Sequence, residues 1–226
     1  MQPFSHWIFR EKRPELWTPA FHLNNIRVDP STYNDSDCAW ALPHFVGDVI
    51  WWALNEQGYI GEELPQNAQA YQNLWHYLGG IKSSGHSCFA GNNGPDFDSW
   101  RRAAGLLGQM GLCDYQKNLE RFIALEIEGD AGLSEQDLKA YQDACAQCDD
   151  VLYTLEKSGV GLTILLQDWL KAQDWIVVCA DAPHSLNKLV PPHPLRDSRK
   201  AEELRIRGAD IVGERRLFYM KALGLR

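Results

Sequence analysis

Residues 71–125 read YQNLWHYLGGIKSSGHSCFAGNNGPDFDSWRRAAGLLGQMGLCDYQKNLERFIAL. Tyr71, Leu74, Trp75 and Leu78 recur at i, i+3, i+4 and i+7, the apolar stripe of an amphipathic helix. Gly79 and Gly80 are expected to end that helix, because glycine reaches the left-handed geometry of a helix C-terminus. Residues 81–95 are rich in Gly, Asn and Ser and predict a connecting loop. A second helix is expected from Asp96 or Asp98, either of which can accept from free N–H groups. Trp100, Ala103, Ala104 and Leu107 form its stripe. Gly111 should stop it, and Asp114 should open a third helix with Tyr115, Leu119, Phe122 and Ile123 facing inward. The small residues of AAGLL at 103–107 suit close helix–helix contact.

Outward from this stretch the helical period persists. Pro43 sits at a first-turn position before the stripe Phe45, Val46, Val49, Ile50, Ala53 and Leu54, with Gly58 or Gly61 as terminator. Trp51 and Trp52 cannot both face one core, so one is expected at a half-buried site or a subunit contact, and a homodimer is among the assemblies allowed. Ser134 with Asp137 three residues on resembles a capping box. Leu138, Tyr141, Cys145, Cys148, Leu152 and Leu155 then form a packing seam, broken at Ser158 and Gly159. Leu162, Leu165, Leu166, Trp169 and Leu170 mark a further helix. The β-branched run after Trp175 reads equally as helix or short strand. The reading is all-α: a single domain of about seven helices, acidic over residues 1–182 with its core at about 43–178. An irregular N-terminal segment carrying Phe4, Trp7, Ile8, Phe9, Trp17 and Phe21 is too apolar for a free arm and should pack on this domain. Residues 183–198 look like a Pro-rich linker, and 199–226 like a basic helical tail with Leu204, Ile206, Ile211, Leu217, Phe218 and Met220 as its apolar content.

The net charge of -8 is uneven. Residues 191–226 hold nine Lys or Arg against five Asp or Glu, whereas residues 114–156 hold eleven acidic against three basic. An acidic body argues against direct binding of nucleic acid and suits a partner with a basic surface. There is no apolar run long enough to cross a membrane, and the charged N-terminus lacks a secretion signal. Six scattered cysteines fit buried thiols in a reducing compartment, so a cytoplasmic location is expected.

The motifs of chemistry are mostly missing. Cys145-x-x-Cys148 lies mid-helix on the apolar seam with no second pair, which makes packing thiols of it rather than a redox or zinc site. Isolated histidines, His6, His22, His44, His184 and His193, read as structural or exposed. Adjacent carboxylates on a helix diverge by about 100° and make poor acid–base pairs. No metal and no cofactor is expected. The alternative to a binding protein is a metal-dependent or hydrolytic enzyme that uses a loop at residues 85–94, with His86, Cys88, Asn92 and Asn93 lining a pocket.

Leu74-Trp75, Ser84-Gly85, Phe89, Gly91-Asn92 and the Ala103-to-Gly111 pattern, followed by Cys148-Asp149-Asp150, Leu152-Tyr153 and Leu165-Leu166, resemble a family of small bacterial all-helical proteins typified by a DNA-mimic protein. The resemblance covers about residues 66–175, and Ser83-Ser84-Gly85 stands where that family carries an Asn-Gly-Gly turn. It implies a non-enzymatic interaction protein whose carboxylates stand in for backbone phosphates on a DNA-binding partner. An immunity protein against a basic toxin would use the same complementarity. The acids that would form such a face are Asp114, Glu120, Glu126, Glu128, Asp130, Glu135, Asp137, Asp143, Asp149 and Asp150.

Overall fold

The structure, a computed structural model, describes residues 13–93, 96–129, 135–183 and 185–205. Its long helices are α2 (Ala41–Asn55), α3 (Ala68–Asn93), α4 (Phe97–Gln109), α5 (Cys113–Gly129), α6 (Glu135–Ser158) and α7 (Leu162–Lys171); α1 (Pro30–Asn34) and α8 (Leu186–Leu189) are short. Residues 196–205 are helical as well. The all-α reading holds apart from one small sheet. In it β1 (Ile26–Val28) pairs in parallel with β2 (Ile176–Val178), Ile26 opposite Ile176. The run after Trp175 is therefore strand, chosen by a partner far away in the chain.

Helix α3 is the hub, packing on α2, α4 and α6, while α5 bridges α4 and α6. Tyr71, Leu74 and Leu78 of its stripe are almost fully buried. They meet Val46 and Ile50 of α2, Ala103 and Leu107 of α4, Leu119 and Phe122 of α5, and Leu166 and Leu170 of α7 in one core. Asp96 caps α4 by accepting from the Ser99 N–H at 3.2 Å, and Gly111, at φ 74°, turns the chain into α5. Gly58, at φ 78°, does the same after α2. Trp52 packs on the core while Trp51 is exposed. On α6 the seam is buried from Cys145 through Cys148 to Leu152, but Leu138 lies exposed one end of the helix away.

The expected loop at 81–95 is the main correction. Helix α3 does not end at Gly79–Gly80 but continues to Asn93, broken at Gly85, where φ is 76° and ψ is 170°. Gly80 is needed for a different reason: a Cβ there would lie 2.2 Å from the Phe89 ring, which folds back over the first limb. The Ser83 and Ser84 hydroxyls both donate to the Gly80 carbonyl, at 2.8 and 3.0 Å, and serve backbone acceptors at the end of that limb.

Within 183–198, several residues pack on the body. Val190 and His193 are buried, the His193 N–H donates to the Gln57 carbonyl, and Arg196 Nε donates to the Glu56 carbonyl. Beyond them Arg199, 1% exposed, enters the body. Its guanidinium grips Glu63 bidentately at 2.7 and 2.9 Å, donates to the Gly58 carbonyl, and reaches the Leu16 carbonyl. Glu63 also accepts from the Ala20 and Ile60 N–H groups at 3.0 Å. His193 Nδ1 accepts from the Leu195 N–H, which leaves the proton on Nε2, 3.1 Å from Glu63. The N-terminal segment packs as expected through Leu16, Trp17 and Leu23, with Phe21 exposed. Phe4, Trp7, Ile8, Phe9, Ser134, His6, His184 and the tail from Ile206, with Ile211, Leu217, Phe218 and Met220, lie outside the described residues.

Candidate partner-binding site

The second limb of α3 starts at Gly85 with backbone N–H groups that no earlier turn can satisfy. Asp149 of α6 supplies the missing acceptor. Its Oδ1 takes the His86 backbone N–H at 3.0 Å and stands 2.6 Å from His86 Nδ1. On the other side of the ring, Nε2 lies 2.8 Å from the Tyr77 hydroxyl. A carboxylate at Nδ1 and a hydroxyl at Nε2 are both satisfied by the neutral ring protonated on Nδ1, with the Tyr77 O–H donating. Burial pushes the His86 pKa down and outweighs the opposing pull of Asp149. The ring has no exposed surface and packs edge-on against Phe122, centroids 4.7 Å apart. His86 thus joins α3 to α6 with its ring sealed from solvent.

The other loop candidates separate from it. Cys88 points outward from the second limb. Asn92 and Asn93 belong to the last turn of the helix, and their side chains lie outside what is described. Among the described residues no group of three or more His, Cys, Asp or Glu side chains is placed to hold a metal ion. Cys145 and Cys148 face the core, where burial pushes the Cys145 thiol up to about 11.

Seven of the ten acidic candidates fall into three sets. Glu126 and Asp149 are bound within the protein: Glu126 accepts from the Tyr141 hydroxyl, and Asp149 holds His86. Asp114 lies 3.8 Å from Lys117, and Glu120 accepts from Gln116 at 2.8 Å, so the outer side of α5 is partly neutralised. Arg121 on the same side donates to Gln147 of α6. Glu128, Asp143 and Asp150 are exposed, and their carboxylates take no hydrogen bond or ion pair from any described residue. Asp143 and Asp150, seven residues apart on α6, share one helical face. Asp137 is exposed near the start of α6; Asp130 and the Glu135 side chain lie outside what is described.

Where α6 passes the break in α3, the surface opens into a cleft of about 580 Å³ lined by Ile81, Lys82 and Gly85 on one side and Asp149, Asp150, Leu152, Tyr153 and Glu156 on the other. Sequence reasoning placed Asp149 and Asp150 on the acidic face but had no signal for this cleft, which Gly85 and its neighbours line together with α6. Lys82 is engaged: Nζ sits 2.9 Å from Glu156 and 4.9 Å from the Trp40 ring centroid. Tyr153 is 61% exposed, and Lys157 Nζ lies 4.3 Å from its ring centroid.

Residues 62–173, 112 of the 226, match the family described as DMP19-like protein. The matched segment contains α3 to α7, hence both the cleft and the acidic helices. No curated protein and no solved structure matches the chain. No described helix is long and apolar enough to cross a membrane.

Proposed function

We propose that this protein is a non-catalytic interaction module that presents the acidic outer surface of α5 and α6 to a protein partner with a basic surface. The observation that carries the reading is the set Glu128, Asp143 and Asp150, exposed carboxylates without an intramolecular partner among the described residues, inside the segment similar to DMP19-like proteins. Unpaired surface carboxylates are well hydrated and contribute little to stability, so their accumulation on one helix pair suits a long-range field for a cationic partner. A DNA-binding protein, whose Lys and Arg side chains are spaced for phosphates, fits that field; a basic toxin would meet it through the same charges. The enzyme alternative gains no support, because His86 is sealed in the core and Cys88 faces away from it.

The test is capture from a lysate of the source organism with wild-type protein and with the triple variant Glu128→Gln, Asp143→Asn, Asp150→Asn, each washed through a salt series. A basic protein retained by the wild type, released at high salt and absent from the triple variant is the expected result. Retention of the same partner by both proteins would defeat the acidic-surface reading.

A further inference from the structure

We propose that the cleft between the broken helix α3 and helix α6 is a seat for an arginine side chain on the partner's basic segment; this rests on the acidic-surface reading and names its anchor point. The cleft is not simply acidic. Ile81 and Leu152 give it an apolar floor, Tyr153 stands exposed at its edge, and the carboxylates lie on one wall. A guanidinium is planar, weakly hydrated and able to stack on aromatic and aliphatic surface while its edge donates hydrogen bonds; a lysine ammonium is a compact, strongly hydrated charge that gains less from such a floor.

The acceptors are available. Both His86 donors go to Asp149 Oδ1, so Oδ2 of that carboxylate has no hydrogen bond from a described residue, and the Asp149 side chain is 40% exposed. Asp150 is exposed and unpaired among the described residues. Glu156 is not available, since it accepts from Tyr115 and from the Leu162 N–H and pairs with Lys82. The same bonds keep Lys82 from neutralising the two aspartates. Tyr153 already carries the exposed Lys157 ammonium over its ring, and an arriving guanidinium would take that place. At about 580 Å³ the cleft admits the arginine together with neighbouring atoms of its segment.

The experiment measures binding of fluorescein-labelled nona-arginine and nona-lysine peptides by fluorescence anisotropy at fixed low ionic strength. For the wild type the arginine peptide should bind several-fold more tightly. Tyr153→Ala and Asp150→Asn should each weaken it about three- to tenfold and erase most of the preference, while Tyr153→Phe, which keeps the ring, should bind like the wild type. The double variant Glu128→Gln, Asp143→Asn, at exposed carboxylates outside the cleft, should weaken both peptides alike and leave the preference intact. Equal binding of the two peptides, or a preference that survives Tyr153→Ala and Asp150→Asn, overturns the arginine seat while the acidic-surface reading stands. Failure of both peptides to bind overturns both.

Discussion

Replacing Gly85 by alanine tests the break in α3 on which both the hub helix and the cleft depend. At φ 76° and ψ 170° the backbone occupies a region that is essentially glycine-only, and a side chain there costs about 1–3 kcal/mol. The new Cβ would also lie 2.9 Å from Asp149 Oδ2. Pushing that carboxylate aside strips an acceptor from the His86 N–H or its ring, and a buried donor left unsatisfied adds about 1–3 kcal/mol. A total near 3 kcal/mol should lower the melting midpoint by roughly 6–12 °C in a chain of this size. Gly79 and Gly80 provide the contrast. Both are helical, but nothing lies within 4 Å of a Cβ at Gly79, whereas at Gly80 it would strike Phe89. Gly79→Ala should therefore stabilise by up to about 1 kcal/mol, and Gly80→Ala should destabilise by about 1–3 kcal/mol. Urea unfolding followed by the fluorescence of the nine tryptophans reads all three. Gly85→Ala as stable as the wild type, or indistinguishable from Gly79→Ala, would refute the break.

Arg199→Met leaves Glu63 as an uncompensated buried charge and should cost about 3–5 kcal/mol in the same assay, while Glu63→Met with Arg199→Met should cost clearly less than the two single changes summed. Burial alone would raise the Glu63 pKa, but the Arg199 guanidinium and the two backbone donors outweigh it and hold it below the usual carboxylate range. Its stabilising effect is thus present above about pH 4.3 and lost as the pH falls through the lower folded value; the gap in urea midpoint between wild type and Glu63→Gln should close under acid. The folded state keeps His86 neutral with a lowered pKa, so its contribution is complete above about pH 6.5 and declines as the pH falls from there toward the folded value. Melting midpoints from pH 7 to 5 should accordingly fall less in His86→Asn than in the wild type. Under a thiol-specific chromogenic disulfide, the exposed Cys38, Cys88 and Cys113 should react in the native protein, and Cys145 and Cys148 only on unfolding; rapid native labelling of either buried thiol would contradict the packing of α6.

The periodic elements were legible because their signal is local. The stripes of α2, α4, α5 and α7 and the stop at Gly111 lie where apolar spacing and glycine place them. The segment 81–93 was not, because its Gly, Ser and Asn residues favour turns taken alone. What keeps them helical is tertiary: Phe89 folding over Gly80, and Asp149, 63 residues on, caring for the His86 N–H. The same limit hid β2, whose partner β1 lies 150 residues earlier by register, and the packing of Val190, His193 and Arg199, where prolines suggested a linker. Of the acidic candidates, composition identified the helices. It could not tell Asp149, committed to the fold, from its neighbour Asp150, which faces solvent.

The bond between Glu63 and Arg199 also dictates an order of events during synthesis. The two residues are 136 positions apart, so at about 5–20 residues per second the carboxylate leaves the ribosome some 7–27 s before its cation. Until then, closing the turn around Gly58 and Ile60 would trap a naked negative charge. The nascent chain must leave that corner open to water, exposing Tyr59 and Ile60 to whatever factors attend the tunnel exit, and the corner closes only when the helix at 196–205 arrives to neutralise it.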